Sequence, residues 1–187
     1  MKPHIKYISV ILCLTGLLMV SAGSQAQDSR LDRREKEEIR KAQLTRNFYL
    51  IDSLLNAKKF VLEANYLRNR YGDRIPVTSA INFIRVDKTK GTLQTGSDYS
   101  LGYNGVGGVT AEGNVGKWKV HSDAKRMVHT LRFSLLTNLG NYDVVMIVRA
   151  DAHATATITG LGPGSLTWEG FLVTLSNARI YKGHNSI

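Results

Sequence analysis

Residues 60–174 alternate between apolar and polar side chains with a period of two, which is the pattern of half-buried β-strands. Turn-rich stretches separate the alternating segments, and no segment of helical length lies between them. Short connections join antiparallel neighbours, because parallel strands need a crossover of a dozen or more residues. The pattern therefore predicts eight antiparallel strands, at residues 60–67, 80–87, 91–95, 108–121, 127–137, 142–150, 154–160 and 166–174.

The stretch 27–58 has a different pattern, because it contains no glycine or proline and favours a helix. Its first half is almost entirely charged and places opposite charges four residues apart, as at Asp32 and Lys36. Apolar residues then recur at helical spacing: Ile39, Ala42, Phe48, Ile51 and Leu55. We expect the second half to pack on the strands and the charged first half to remain solvated.

Side-chain parity assigns the middle strands to two faces. Turns at Asp123-Ala124 and at 138–141 set Trp118 opposite His129 and Phe133 opposite Met146. One predicted apolar face results: Trp118, Val120, Met127, Leu131, Phe133, Leu135, Val144, Met146 and Val148. The other face carries Lys119, His121, Arg126, Thr130, Arg132 and Ser134. A turn at Asp151-Ala152 adds Ala156 and Ile158 to Val145 and Ile147 on this second face, where we expect the helix to dock.

These elements predict an α+β fold that is mostly β, with an N-terminal helix at 27–58 and an antiparallel domain at 59–183. About eight strands form its curved sheet or small barrel, and residues 184–187 are a tail. Such a sheet encloses either one small ligand or a filling of side chains. The candidate cavity residues are Phe83, Trp118, His129, Phe133, Trp168 and Phe171. They line a cavity or fill a core, and the pattern leaves both readings open.

Residues 1–26 read as a secretory signal peptide. Lys2 and Lys6 precede an apolar run at 8–20, and Ser24-Gln25-Ala26 supplies small residues for cleavage before Gln27. The run is shorter than the roughly 20 apolar residues that a membrane helix needs. We therefore expect an exported protein with no integral membrane span after cleavage.

The composition argues against several kinds of chemistry in the mature protein. The only cysteine, Cys13, lies in the predicted signal, so the mature chain has no disulfide and no thiol nucleophile. The net charge of +10 is spread without a polybasic block, which argues against a nucleic-acid partner. Positive charge alone favours solubility and weak attraction to anionic surfaces.

No motif for catalysis, metal or phosphate is found in the sequence. The histidines outside the signal show no zinc spacing, no Gly-x-Ser-x-Gly elbow occurs, and the strand carboxylates are scattered. The glycines at 102–108 lead into an alternating strand instead of a helix, which favours turns or a bulge over a phosphate loop. We expect a protein that is not an enzyme and holds no metal or cofactor.

Several stretches together carry a resemblance to a known family. They are FVLEA at 60–64, INFIRVD at 81–87, NGVGGVTAEG at 104–113, TNLGNYDV at 137–144, ATATITGL at 154–161 and RIYKG at 179–183. In this order they resemble a family of exported Gram-negative proteins known only as domain of unknown function 4251. The resemblance covers roughly residues 56–183 and implies a strand-rich domain that is exported to the periplasm or cell surface of a Gram-negative bacterium. It assigns no catalytic or binding residue, and Ala152 stands where the family tends to carry a turn glycine.

Three functions remain open at this point. The first is a non-catalytic module of the cell envelope that binds a small apolar ligand or an envelope partner protein. The second is a structural or assembly protein that presents the helix, with residues 30–41, to a partner. The third is a hydrolase. An unfilled apolar pocket favours the first, an exposed apolar patch favours the second, and converging ionisable groups favour the third.

Overall fold

The computed structural model describes residues 32–98, 102, 104–160 and 164–186. Residues 32–57 are helical and form α1. Nine strands follow: β1 Lys59–Asn69, β2 Arg74–Pro76, β3 Phe83–Asp87, β4 Lys90–Gln94, β5 Thr110–Asp123, β6 Val128–Thr137, β7 Gly140–Arg149, β8 His153–Thr159 and β9 Ser165–Val173. The predicted signal peptide and the start of the predicted helix lie outside the described residues.

The strands form a closed antiparallel barrel. Strands β3 to β9 pair in chain order, and β1 pairs with both β3 and β9, so eight strands close into a ring. The short strand β2 adds to one end of β1 and is not part of the ring. The predicted fold class, a mostly β barrel with an N-terminal helix, is confirmed.

All eight predicted strands are present, with ends within three residues of those expected. The sequence reading missed β2, because three residues with exposed side chains carry no alternating pattern. Turns with left-handed residues join the hairpins, as at Lys88 between β3 and β4, where φ is +58°.

The barrel interior contains one continuous hydrophobic core. Six residues of the predicted apolar face are buried in it: Leu131, Phe133, Leu135, Val144, Met146 and Val148. Trp118 and Val120 are partly buried and pack against this core. The prediction is wrong for Met127, which lies in the turn between β5 and β6 with a φ of +55°.

The predicted registers of the middle strands are wrong by even numbers of residues, so their faces are preserved. His129 lies opposite Ser122 instead of Trp118, because the β5–β6 turn is longer than predicted. A bulge between Gly116 and Lys119 further displaces Trp118. Phe133 lies opposite Val144 instead of Met146, a shift of two residues. An even shift returns every side chain to its original face.

The predicted β7–β8 register is wrong by one residue, and this inverts a face. Met146 lies opposite Ala156, so Ala156 and Ile158 point into the core instead of joining Val145 and Ile147 outside. The connection contains three residues, 150–152, and Ala152 takes the left-handed conformation with a φ of +66°. A single extra loop residue moves the whole strand pattern to the other side.

The chain divides within α1 into two compact units, Met1–Gln43 and Leu44–Ile187. In the first unit, the described residues 32–43 are all exposed, including Ile39 and Ala42 of the predicted apolar stripe. Lys36 donates a hydrogen bond to the Asp32 carboxylate at 2.8 Å, one of the predicted charge pairs. None of the described helical residues forms a stretch long and apolar enough to span a membrane.

In the second unit, the remaining part of α1 packs on the barrel. Phe48, Ile51 and Leu55 are buried, and the last two belong to the core cluster of the barrel interior. The predicted docking on the outer patch of Val145 and Ile147 is therefore wrong. This part of the helix contacts the inward-facing side chains, because the inner surface offers more apolar area than two outer residues.

The C-terminal segment, residues 178–186, crosses the outer side of β3, β4 and β5. The buried amide of Gln94 donates to the carbonyl of Tyr181 at 2.9 Å, and its oxygen accepts from the Gly183 amide at 2.9 Å. The Ser186 amide donates to the Thr110 carbonyl at 2.9 Å. We call the outer surface around Phe83, Gln94 and Thr110 the covered face.

Candidate functional site

The structure separates the predicted cavity residues into two groups. His129, Phe133 and Trp168 are buried, and Trp118 lies partly buried against the core. Trp118 and Phe133 have ring centroids 5.2 Å apart, and Phe133 and Trp168 belong to the same core cluster. These rings contribute to a packed interior, as aromatic side chains in small barrels commonly do.

Phe83 and Phe171 lie on the outer side of the barrel. Ile84 and Val86 of the same strand belong to the interior core, so the alternation turns Phe83 to the covered face, where it is fully buried. Phe171 is half exposed and contacts the ring of His153 edge to face, with centroids 5.7 Å apart. The six predicted residues therefore do not form one cavity.

A polar cluster that no sequence motif predicts joins α1 to the barrel. His129 is fully buried, and its ring stacks on Phe48 with centroids 4.2 Å apart. Its Nε2 lies 3.0 Å from the carbonyl oxygen of Phe48, and its Nδ1 lies 2.8 Å from the Ser122 hydroxyl. The same hydroxyl is 2.6 Å from a carboxylate oxygen of Asp52 on α1. We call these residues the helix clasp: Phe48, Asp52, Ser122 and His129.

The clasp contains the residue types of a Ser-His-Asp triad in an order that does not suit catalysis. In a triad the histidine stands between serine and aspartate and takes the serine proton. Here the serine stands between the other two, and the histidine is fully buried with its second nitrogen bound to a backbone carbonyl. The geometry supports attachment of the helix and does not support nucleophilic attack.

Burial lowers the pKa of His129 below its ordinary value of 6.5. The hydrogen bond to the Phe48 carbonyl and the negative charge of Asp52 act in the opposite direction and are outweighed. A carbonyl oxygen only accepts hydrogen bonds, so Nε2 carries the proton of the neutral ring and Nδ1 is the acceptor. The cluster therefore contains a neutral, buried histidine at neutral pH.

A second surface of interest is the outer side of β5, β6 and β7. Lys119 lies directly opposite Arg132, and Arg132 lies directly opposite Val145. His121 lies opposite Thr130, which in turn lies opposite Ile147. Lys119, His121, Thr130 and Arg132 line a concave area of the surface. We call the surface of Lys119, Arg132, Val145 and Ile147 the open face.

The two cations of the open face have no acidic partner among the described residues. Some other outer charges are paired: Lys182 binds Glu112 at 2.8 Å, and Glu169 accepts from both Arg68 and Arg74. Burial raises the pKa of Glu169, but the two guanidinium groups lower it by more, so its pKa lies below the ordinary value. Like charges directly across a strand pair destabilise a sheet, so Lys119 and Arg132 do not serve stability.

Beside this charge pair the open face is apolar. Val145 is 38% exposed and Ile147 is 48% exposed on the outer side of β7. The sequence pattern predicts both residues on this face, and the strand pairing agrees. A cationic pair beside exposed aliphatic side chains is a composition that binds an anionic and partly apolar surface.

A groove between the glycine-rich loop and the C-terminal segment is a second concave area, lined in part by Asn104, Gly105 and His184. Asn104 is buried, and its oxygen accepts hydrogen bonds from the Val106 and Gly108 amides at 3.0 and 2.9 Å. Gly105 and Gly107 have φ values of +75° and +83°, so the predicted turn role of these glycines is confirmed.

The sequence model of a family described as domain of unknown function (DUF4251) matches residues 42–172. This chain belongs to the DUF4251 family. The predicted resemblance is therefore confirmed. The matched region contains the open face, the clasp, strands β1 to β8 and all of β9 except its last residue.

A solved DUF4251 family protein has a similar fold. The crystal structure of this protein, from Bacteroides eggerthii, is 32% identical to our chain and superimposes with a TM-score of 0.59. The match covers 71% of our chain and 90% of the other. No curated protein matches the sequence. The family description names no function, so the function has to be argued from the site.

Metal chemistry has no support in the described part of the chain. No group of three or more His, Cys, Asp or Glu side chains that could hold a metal ion occurs among the described residues. His121, on the outer side, and His129, on the inner side, point away from each other as the sequence predicted. The DUF4251 domain therefore offers two surface areas and one helix attachment as candidate functional features.

Proposed function

We propose that this protein is an exported, non-catalytic binding module of the bacterial cell envelope, and that it binds a partner protein through its open face. The partner surface carries carboxylates that neutralise Lys119 and Arg132, next to apolar side chains that cover Val145 and Ile147. Specific protein interfaces combine such a charged rim with a buried apolar centre.

One observation carries the proposal: a like-charge pair, Lys119 and Arg132, lies in register beside exposed aliphatic residues on a rigid sheet. The pair costs stability in the isolated domain, and an acidic partner turns that cost into a gain. The sheet position also favours recognition, because strands hold side chains in fixed places.

The other form of the binding hypothesis, an apolar ligand inside the barrel, has weaker support. Phe133 and Trp168 belong to the packed core, and Phe83 lies on the covered face. The indole N–H groups of Trp118 and Trp168 are buried without a hydrogen-bond partner among the described residues, which leaves a polar ligand group inside as an alternative. Native mass spectrometry of the protein from its own envelope separates the two, because it detects a retained small molecule.

Export is part of the proposal and rests on the basic, apolar and small-residue order of residues 1–26. The crystal structure of the family member from Bacteroides eggerthii indicates that similar proteins occur in Gram-negative bacteria. N-terminal sequencing of the protein from a fractionated envelope should give Gln27 as the first residue. An intact Met1, or recovery from the cytoplasm, contradicts export.

Charge reversal on the open face tests the binding role. The Lys119→Glu, Arg132→Glu double variant should lose its envelope partner in co-purification, and Ile147→Ser should weaken the complex. Lys90→Glu is the matched control, because Lys90 is exposed on β4 and its ammonium donates a hydrogen bond to the Asn114 side chain at 3.0 Å. Equal recovery of the partner with the double variant and with the control contradicts the proposal.

A further inference from the structure

The helix clasp is the feature of this chain that neither the fold nor the proposed binding surface explains. It connects residues 70 or more positions apart in sequence, Asp52 on α1 with Ser122 on β5, through a hydroxyl 2.6 Å from the carboxylate. Packing of Phe48, Ile51 and Leu55 would hold the helix without it. Apolar packing therefore does not explain why a fully buried histidine lies at this junction.

Within the clasp, three hydrogen-bond acceptors face only two donors. The Phe48 carbonyl, the Asp52 carboxylate and Nδ1 of a neutral His129 are all acceptors, while only Nε2–H and the Ser122 hydroxyl donate. Ser122 can satisfy either Asp52 or His129, but not both with one hydrogen. Protonation at Nδ1 completes the chain of hydrogen bonds, and it also places a positive charge in a buried site.

The charged surroundings of the ring are simple. Asp52, with about a third of its side chain exposed, is the titratable group of α1 that faces His129, and its carboxylate oxygen lies 3.6 Å from Nδ1. β5 contributes the Ser122 hydroxyl, and β7 contributes Val148, which lies opposite His129. Asp123, next to Ser122, is 3.7 Å from Arg126 in the turn. One partly screened carboxylate does not offset the loss of solvation of a buried imidazolium.

We propose that the helix clasp is a proton-sensitive latch, in which protonation of His129 weakens the attachment of residues 48–57 of α1 and exposes their apolar side chains to a partner. Ser122 and Asp52 are partly exposed, so the hydroxyl gives protons a route to the buried Nδ1. An exported protein experiences the pH of its surroundings directly, and histidine is the side chain that responds in that range.

The sign of the effect follows from the direction of the pKa change. The pKa of His129 in the folded protein is below its ordinary value, so at pH values between the two the unfolded or detached state binds more protons. Attachment is therefore at full strength above pH 6.5 and is lost progressively as the pH falls toward the folded-state pKa. Acidification is the signal that opens the latch.

Hydrogen exchange of the helix amides tests the proposal with the protein purified from its host. Protection factors of residues 48–57, relative to those of β6 and β7, should fall several-fold between pH 7.5 and pH 5. His129→Gln should abolish this dependence, because glutamine retains a donor for the Phe48 carbonyl and does not titrate. His121→Gln is the matched control on the outer side of β5, and it should behave like the wild type.

A second measurement does not depend on a variant that folds. Imidazole nitrogen resonances of the wild-type protein should show His129 as the Nε2–H tautomer, with a titration midpoint below the ordinary histidine value of 6.5. A midpoint at or above 6.5 overturns the proposal. Helix protection that is independent of pH in the wild type, or equally dependent on pH in His129→Gln, also overturns it.

Discussion

The barrel has two outer faces that differ in exposure: another segment of the chain crosses the covered face, and none of the described segments crosses the open face. On the covered face, Phe83, Gln94 and Thr110 are fully buried, because residues 178–186 cross that side and bond to Gln94 and Thr110. On the open face, Val145 and Ile147 remain 38% and 48% exposed, and no described segment of the chain covers them.

The difference shows how to distinguish packing from function in this fold. The neighbours of Phe83 on its own face are Glu63 and Gln94, and both are bonded to the C-terminal segment, through Arg179, Tyr181 and Gly183. An apolar residue on the outer side is therefore part of the protein's own packing where another segment of the chain covers it. Where the chain supplies none and adds a like-charge pair, the surface is suited to a partner.

The largest expected effect comes from the other covering segment, the packed part of α1. A chain that begins at Lys58 loses Phe48, Ile51 and Leu55 and should lose about 4–9 kcal/mol of unfolding free energy, or aggregate. A chain that begins at Arg40 should keep nearly full stability, because residues 32–43 are exposed. Thermal and denaturant unfolding of both chains measure this. A large loss in the longer chain would indicate that the charged segment also contributes, and would favour the assembly role of the helix.

Substitutions of two neighbouring residues on β6 compare the stability contributed by the inner and the outer side of the strand. Phe133→Ala should cost about 3–5 kcal/mol, because Phe133 is buried in the core cluster. Ser134→Ala should change stability by no more than about 1 kcal/mol, because Ser134 lies on the outer side of the strand and the substitution removes only a hydroxyl. Similar losses in denaturant unfolding would show that the faces of β6 are misassigned.

The comparison of the two outer faces has its own pair of variants. Phe83→Ala should cost about 3 kcal/mol, since a fully buried phenylalanine leaves a cavity. Ile147→Ala should cost less than about 1 kcal/mol, since that side chain is half exposed and loses mainly strand preference. Urea unfolding measures both losses of unfolding free energy, with the same dependence on urea concentration assumed for the two variants. Equal costs would mean that the open face is packed in solution.

The smallest expected effect is a gain at the β7–β8 turn, which sets which side of β8 faces outward. Ala152→Gly should stabilise the protein by about 0.5 kcal/mol, because a φ of +66° strains alanine and suits glycine. Ala154→Gly, two residues on in the buried part of β8, is the control and should destabilise. If Ala152→Gly also destabilised, the left-handed turn and the register that depends on it would be contradicted.

Much of the barrel was predictable from the sequence, because eight of its strands alternate clearly and their turns are short. Errors in register arose where turn length is not encoded by composition, as in the three residues 150–152, where an alanine adopts a conformation typical of glycine. That one residue exchanged the sides of Ala156 and Ile158. The buried side of Phe83 was not predictable, since INFIRVD is apolar on both faces and the cover comes from residues about 95 positions later.

The clasp was also outside the reach of sequence reasoning. Asp52, Ser122 and His129 lie on three elements and share no motif, so only the closed barrel brings them together. Parity did predict that His129 faces inward and His121 outward, which is the part of the site that a two-residue period can supply. The open face was likewise visible in part, as Lys119, Arg132, Val145 and Ile147 on one side, but its exposure depended on where α1 packs.

Site-specific photo-crosslinking in the intact envelope tests the central claim, that the open face binds a partner, most directly. A photoreactive residue in place of Ile147 should give an adduct of one discrete mass. The Lys119→Glu, Arg132→Glu background and high salt should both reduce the amount of this adduct. The same residue in place of Tyr71, which is 75% exposed at the β1–β2 turn, should give none. No adduct from position 147, or equal adducts from both positions, would contradict the account.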